Sequence, residues 1–390
     1  MNAPDRERWG LLGAFGVFGV YWGAWSAVLP DVERSAHVTD GTLGLALGAL
    51  ALSAVPAMPL AGRLVDRVGA RVALPGALLL FALASPLAGL AGSAGQLVAA
   101  LLVLGAATGI LDVVANAATA GWERNESRPL MSAAHGTFSL GVLVGSGTAG
   151  LARQAGADAL VVLFAVMALV GLCLLAQPVY RLPRAVESFP AGHSVALILA
   201  AFGALTACAF LLEDAIQSWS ALHLERGLGA PPSVSGLGPA LFAGSMAVGR
   251  FSGGWISARW SEARTLGVCG LLVSAGALIL ATAASAGVAL VGLVVAGAGA
   301  SVMAPVLYSA VGARAADGRQ GADLATVTAL GYAGFVAGPP LVGLVSAASS
   351  LPTALGLLSL LGLTIAVGGP ALLGSRVSRT STAAVGSGSR

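Results

Sequence analysis

Thr108, Asp112, Asn116, Thr119 and Glu123 recur at three- and four-residue steps inside an otherwise apolar stretch. On a helix that spacing puts them on one narrow face. In the next apolar stretch Ser132, His135, Ser139 and Ser146 again share a face. A short polar turn joins the two stretches, so Asp112 and Asn116 are expected to meet His135 and Ser139. A carboxylate beside an imidazole in a dry site can bind and release a proton near physiological pH. The same groups can instead form a static interhelical hydrogen-bond network, worth ~0.6 kcal/mol per contact. Glu123 is read as a surface residue.

A second polar face is made by Thr206, Glu213, Gln217 and Ser220, with Asp214 about 100° round the helix from Glu213. Either acid can hold a proton or accept solute hydroxyls, and Glu213 has the better-supported face. Ionisable groups at membrane depth cost roughly 2.5–3.5 kcal/mol on insertion scales and default to functional readings. Tyr21, Trp22 and Trp25 cluster near the end of the first stretch, and Trp219 occupies the position equivalent to Trp25 in the second half. Trp25 and Trp219 either belong to an interfacial belt or stack on a bound solute. Arg250, in Gly249-Arg250-Phe251-Ser252-Gly253-Gly254, is expected to contact a gate.

The elements that position these side chains follow from composition. Only 9% of residues are charged against 57% hydrophobic, with mean hydropathy +0.88, where a soluble chain carries about a quarter charged residues. A spanning helix needs ~20 mostly apolar residues. Twelve such stretches are marked, roughly 9–29, 42–62, 72–92, 96–120, 130–152, 157–178, 195–222, 235–258, 265–286, 287–312, 323–347 and 350–373. The weakest division is at Ala284-Ser285-Ala286-Gly287. The first stretch, though it follows Arg6 and Arg8, is long and is read as a retained span rather than a signal peptide. All 20 basic residues are Arg. If the helices alternate, every Arg but Arg34, Arg153 and Arg226 falls on one side. By the positive-inside rule both termini are then cytoplasmic. Cys173, Cys208 and Cys269 lie inside spans, with no metal or disulfide spacing, and read as core filler. Pro305 and Pro339-Pro340 are expected to break late spans.

The chain repeats at a shift of 194 residues. Trp25-Ser26-Ala27 matches Trp219-Ser220-Ala221, and Leu43-Gly44-Leu45-Ala46-Leu47 matches Leu237-Gly238-Pro239-Ala240-Leu241. Six spans per half give both halves the same orientation. The expected organisation is an all-α membrane protein of two pseudo-symmetric six-helix bundles over 1–178 and 195–374. A Pro-containing linker over 179–194 joins them, and a Ser-, Thr- and Gly-rich tail follows over 375–390.

Between the second and third stretches, Gly62, Leu64, Asp66, Arg67, Gly69, Arg71 and Leu74 resemble the loop 2–3 signature of the major facilitator superfamily, departing from it at Ala70. The resemblance implies a cytoplasmic gate. Asp66 meets the start of the eleventh span near Asp323, and Arg67 and Arg71 pair with acidic groups when the cytoplasmic mouth is shut; alternatively these Arg are only topology signals. Gly62 would let a neighbouring helix approach. Gly105-x3-Gly109-x2-Asp112-x3-Asn116-Ala117, then Glu123, Met131-Ser132 and His135-Gly136-x-Phe138-Ser139-x-Gly141 resemble a bacterial sub-branch related to the fucose permeases. Glu213-x5-Trp219-Ser220 and Gly331-Tyr332-x2-Phe335-x2-Gly338-Pro339 point the same way. Ser218 stands where that branch often has an acid.

The resemblance implies transport more firmly than it implies sugar. The paired polar faces at Asp112/His135 and Glu213 lead to the expectation of a secondary transporter that moves a small polar or sugar-like solute by alternating access, with protons, in a bacterial plasma membrane. No ATP-binding P-loop, Ser/His/Asp set, metal cluster or cofactor loop stands out, so an enzyme and a cofactor are not expected. A monomer with no nucleic-acid partner is expected. Drug or metabolite efflux by antiport is the rival. Against it, Leu101 to Gly105 lacks the Arg that family antiporters often carry, and Gly145 precedes Ser146 rather than Pro. A facilitative uniporter and a non-transporting membrane sensor are the remaining alternatives.

Overall fold

The computed structural model describes residues 3–178, 197–314 and 320–374. The linker expected over 179–194 and the tail over 375–390 lie outside the described residues. Twelve long helices and no strand occur among the described residues: α1 (Ala3–Ala36), α2 (Asp40–Val68), α3 (Ala70–Ala84), α4 (Ala94–Glu126), α5 (Met131–Gln154), α6 (Ala159–Leu175), α7 (Leu197–Leu222), α8 (Leu237–Ser257), α9 (Glu262–Thr282), α10 (Ala286–Arg314), α11 (Gln320–Ala348) and α12 (Leu351–Gly374).

Local signals account for the boundaries. Ser93, Asp158, Ser261 and Ser285 each accept from the backbone N–H three residues on, capping α4, α6, α9 and α10. The Ser285 cap separates the two apolar runs whose division was weakest in the sequence. Pro305 has no N–H to give the carbonyl of Ser301, and α10 is interrupted there, between Ala300 and Met303. Pro339 and Pro340 do not break α11, which runs unbroken past them. The Pro340 ring instead occupies the space that a side chain at Gly48 of α2 would fill.

Nine of the twelve helices are long and apolar enough to cross a membrane. The other three have separate reasons. Helix α6 is apolar but only 17 residues long. Helices α5 and α8 carry Ser, His, Thr and Arg, and they pack against each other across the two halves. A helix facing a partner rather than lipid can afford that polarity.

Packing follows the repeat. Helix α1 lies on α5 as α7 lies on α11, and α2 lies on α4 as α8 lies on α10. Between α1 and α5 the backbones touch: a Cβ added at Gly19 would sit 2.0 Å from the Phe138 carbonyl, and one at Gly145 would sit 2.1 Å from that of Val20. Small residues at such crossings replace the hydrophobic drive that lipid does not supply. The halves meet through two equivalent pairs, α2 with α11 and α5 with α8. Gly44 faces Gly343 and Gly150 faces Gly236, where a Cβ on the first of each pair would lie 2.9 and 3.1 Å from the partner's Cα. Both crossings lie toward the end opposite the α2–α3 loop. That end is called the far end below, and the end bearing the α2–α3 loop the near end.

Candidate functional site: a cavity between the bundles beneath a charged seal

The two halves enclose a cavity of about 250 Å³, a little below the usual range for small-molecule sites of roughly 300–1,000 Å³. Apolar walls come from Phe18 and Trp22 of α1, Leu50 to Met58 of α2, Phe138 of α5, Met246 of α8 and Phe335 of α11. Into this lining project Thr108 and Asp112 from α4, Ser139 from α5, Glu213, Asp214 and Gln217 from α7, Arg250 from α8 and Tyr332 from α11. Helical periodicity selects them. Asp112 lies four residues after Thr108, and Gln217 four after Glu213, so each pair stands on one face.

Three hydrogen bonds in this region join one half to the other. The Tyr332 hydroxyl donates to Asp112 Oδ2 at 3.1 Å, Arg250 Nη1 donates to Ser139 Oγ at 2.8 Å, and Gln217 Nε2 donates to Ser26 Oγ at 3.3 Å. Arg250 also pairs with Glu213 at 3.1 Å. Arg250 therefore stands in the cavity, spanning an acid of its own half and a hydroxyl of the other, instead of at the gate where the sequence placed it. The helix carries it there because α8 continues to Ser257 beyond it.

The expected meeting of α4 and α5 takes a particular form. Asn116 Nδ2 donates to Asp112 Oδ1 at 3.0 Å, and His135 Nε2 lies 3.2 Å from Asn116 Oδ1. Because a carbonyl oxygen only accepts, His135 Nε2–H is the donor. The amide of Asn116 thus stands between the imidazole and the carboxylate. Among the described residues Asp214 has one hydrogen-bond partner, the Ser218 hydroxyl at 3.5 Å, the outer limit of a hydrogen bond, and the Glu213 carboxylate lies beside it. Trp25 and Trp219 are 1% and 0% exposed and do not line the cavity. Trp25 stacks on Tyr21 instead, while Trp22, one turn earlier, takes the cavity wall.

The loop 2–3 residues behave differently. Gly69 adopts φ 75°, a conformation suited to glycine, and closes α2 by donating to the Val65 carbonyl at 2.8 Å. Asp66 falls in the last turn of α2. A Cβ at Gly62 would meet nothing within 4 Å. Arg63, Arg67 and Arg71 are exposed, and among the described residues they and Asp66 make no ion pair or hydrogen bond.

The far end holds a cluster that the sequence reading missed. Arg153, whose side chain is 2% exposed, grips Asp31 through two nitrogens at 2.6 and 2.8 Å. It also reaches Glu225 of the other half at 3.0 and 3.1 Å, and the Ala27 carbonyl at 2.9 Å. In the opposite sense, Arg226 reaches back to Glu33 and to Asp40, the latter at 2.6 and 3.2 Å. Ser346 donates to the same Asp40. Glu225 and Arg226 sit on a π-helical turn, His223–Gly227, a local widening that re-aims side chains. The signal was present in the sequence: Arg34, Arg153 and Arg226 are the three Arg that helix alternation sets apart from the rest, and all three pair here with acids at helix ends.

The sequence profile of the Major Facilitator Superfamily matches residues 10–206 and again 197–387, once per half. An uncharacterized MFS-type transporter of Yersinia pestis is 33% identical over 362 residues, covering 90% of this chain and 92% of that one. Among solved structures, FucP in the outward conformation is 19% identical and superposes with a TM-score of 0.61, covering 95% of this chain and 99% of that one. The D-xylose-proton symporter is 15% identical with a TM-score of 0.76, over 95% and 99% of the two chains. Two profile matches, a relative of near-equal length and the twelve-helix fold lead to one conclusion: the chain belongs to the Major Facilitator Superfamily and is a membrane transporter.

Proposed function

We propose that the protein is a proton-coupled secondary transporter of a small polar, sugar-like solute, working by alternating access in a bacterial plasma membrane. The observation that carries this reading is the cavity itself. It lies between the bundles, holds Asp112 and Glu213, and is crossed by hydrogen bonds from both sides. Groups that bridge two bundles must break and re-form when the bundles rock, so occupancy by proton or solute couples to that motion. Asp112, with Asn116 and His135 behind it, and Glu213, held by Arg250 next to Gln217, are the coupling groups; Ser139 ties Arg250 to the first bundle. Trp25 and Trp219 act as packing beneath the seal. With both termini cytoplasmic, the far end faces outward and the α2–α3 loop inward. The charged seal then makes this state closed outside, and Gly62, Asp66, Arg67, Gly69 and Arg71 latch the cytoplasmic mouth in the opposite state. The moving units are the bundles drawn at 1–178 and 195–374.

Purified protein in proteoliposomes tests the proposal, with solutes chosen by a thermal-shift screen over sugars and amino acids. An imposed pH gradient should drive accumulation. Asp112→Asn or Glu213→Gln should cut gradient-driven uptake at least tenfold, about 1.4 kcal/mol. Flux indifferent to the gradient and to both substitutions would leave only a facilitator.

A further inference from the structure

The cavity holds more carboxyl groups than cations. Three carboxylates line it, Asp112, Glu213 and Asp214, against one guanidinium, Arg250. Arg250 is committed to Glu213 at 3.1 Å. Asp112 is satisfied by neutral donors from both bundles, Tyr332 at 3.1 Å and Asn116 at 3.0 Å. Among the described residues Asp214 has one hydrogen-bond partner, the Ser218 hydroxyl at 3.5 Å, and no cation. One turn before Asp112, the Thr108 hydroxyl is buried at the cavity wall with no partner. A carboxylate facing an apolar cavity without a cation is costly, and so is a buried hydroxyl without a partner. The walls beside them include the aromatic residues Phe18, Trp22, Phe138 and Phe335, a class of ring whose faces attract cations.

Resting on the reading of this cavity as the solute site, we propose that the solute is a small organic cation, a protonated amine carrying hydroxyls, and that Asp214 receives the ammonium group. The division of labour follows from the partners. Asp112 and Glu213 already hold donors that tie them to the helices around them. Asp214 has an acceptor to spare, and Thr108 supplies a hydroxyl to the polar end of the solute. Arg250 stays with Glu213 and keeps anions from gaining a free counter-charge. The aromatic walls discriminate further, because cation–π attraction adds to the carboxylate for an amine and contributes nothing of that kind for an alcohol of equal size.

The test compares matched pairs that differ in charge and little in shape, D-glucosamine with D-glucose and benzylamine with benzyl alcohol, binding to the full-length protein in detergent. Calorimetry should show the amine of at least one pair binding about tenfold or more tighter than its neutral twin, as expected for a charge-assisted contact. Asp214→Asn should erase that preference, whereas Asp214→Glu should retain it. Equal binding within both pairs, tighter binding of the neutral member, or no binding of either amine overturns the proposal. So does a preference that survives Asp214→Asn. Proton-driven uptake of a neutral sugar with no amine preference would leave the transport reading intact while ending this one.

Discussion

The two ends of this molecule are built from the same residue types and stand in opposite conditions. At the far end, Arg153 and Arg226 each cross between the bundles to acids, and glycine pairs bring α2 onto α11 and α5 onto α8. At the near end, Arg63, Arg67 and Arg71 project from the α2–α3 loop, and among the described residues they pair with nothing. Arginine alone does not make a gate. What separates the ends is whether acids from the other bundle are brought within reach, and that depends on how close the helix backbones come. Asp31 and Glu225 sharpen the point. They are separated by the repeat's own shift of 194 residues, so duplication has placed two equivalent carboxylates on one guanidinium.

The largest effect is expected from Arg153→Ala. It leaves Asp31 and Glu225 with only the exposed Arg34 between them, and removing the buried partner of such a cluster costs about 3–5 kcal/mol. The melting temperature should fall, and a cysteine introduced at Ser235, beside Arg153, should become reactive to impermeant thiol reagents; an unaltered melt and an unreactive cysteine would deny the seal its role. Next comes Gly44→Val. A Cβ there would lie 2.7 Å from the Pro339 carbonyl, so the α2–α11 crossing must open. Overpacking of this kind costs about 1–3 kcal/mol. Far-end crosslinking between α2 and α11 should weaken while near-end spacing stays as it is.

A third experiment addresses the middle of the molecule. Arg250→Gln removes the charge pairing with Glu213 while keeping a donor for Ser139. Transport should drop by about tenfold, in line with the 1–3 kcal/mol lost when a buried charged partner goes unsatisfied. Wild-type rates would return Arg250 to the gate role that the sequence suggested. The smallest effect on the sealed state is expected from Arg67→Ala. Because Arg67 has no partner here, thermal stability should change by less than about 0.5 kcal/mol. Its effect should appear only as a slower return of the near end to a closed state, read by time-resolved cysteine accessibility. A large loss of stability would show that the latch is engaged when this reading holds it open.

Much of the candidate site's geometry is legible in the sequence. The polar faces of α4 and α5 meet as their spacing implied, and Glu213 and Gln217 line one cavity. Trp25 shows where periodicity runs out. Its symmetric match to Trp219 was visible, but both rings are buried in the core and Trp22 lines the cavity. A one-turn difference of that sort is set by the rotation of α1 against its neighbours, which no local pattern records. The seal was missed for a related reason. Helix alternation marks Arg34, Arg153 and Arg226 as topology signals, and nothing local says which of the acids at the neighbouring helix ends each one meets.

The sequence by itself determined the number of helices, their apolar faces, the like orientation of the two halves and the acids carried to membrane depth. Each of these is local: apolar length, a 3.6-residue period and a repeat shift are written in neighbouring residues. Only the tertiary structure decided which acid has which partner, that Arg250 stands in the cavity, and which end is shut. Those outcomes join residues far apart in the chain, 122 positions for Arg153 and Asp31 and 220 for Tyr332 and Asp112. They depend on ångström-scale helix rotations and crossings, because a charge pair or hydrogen bond exists only when its atoms come within about 3 Å.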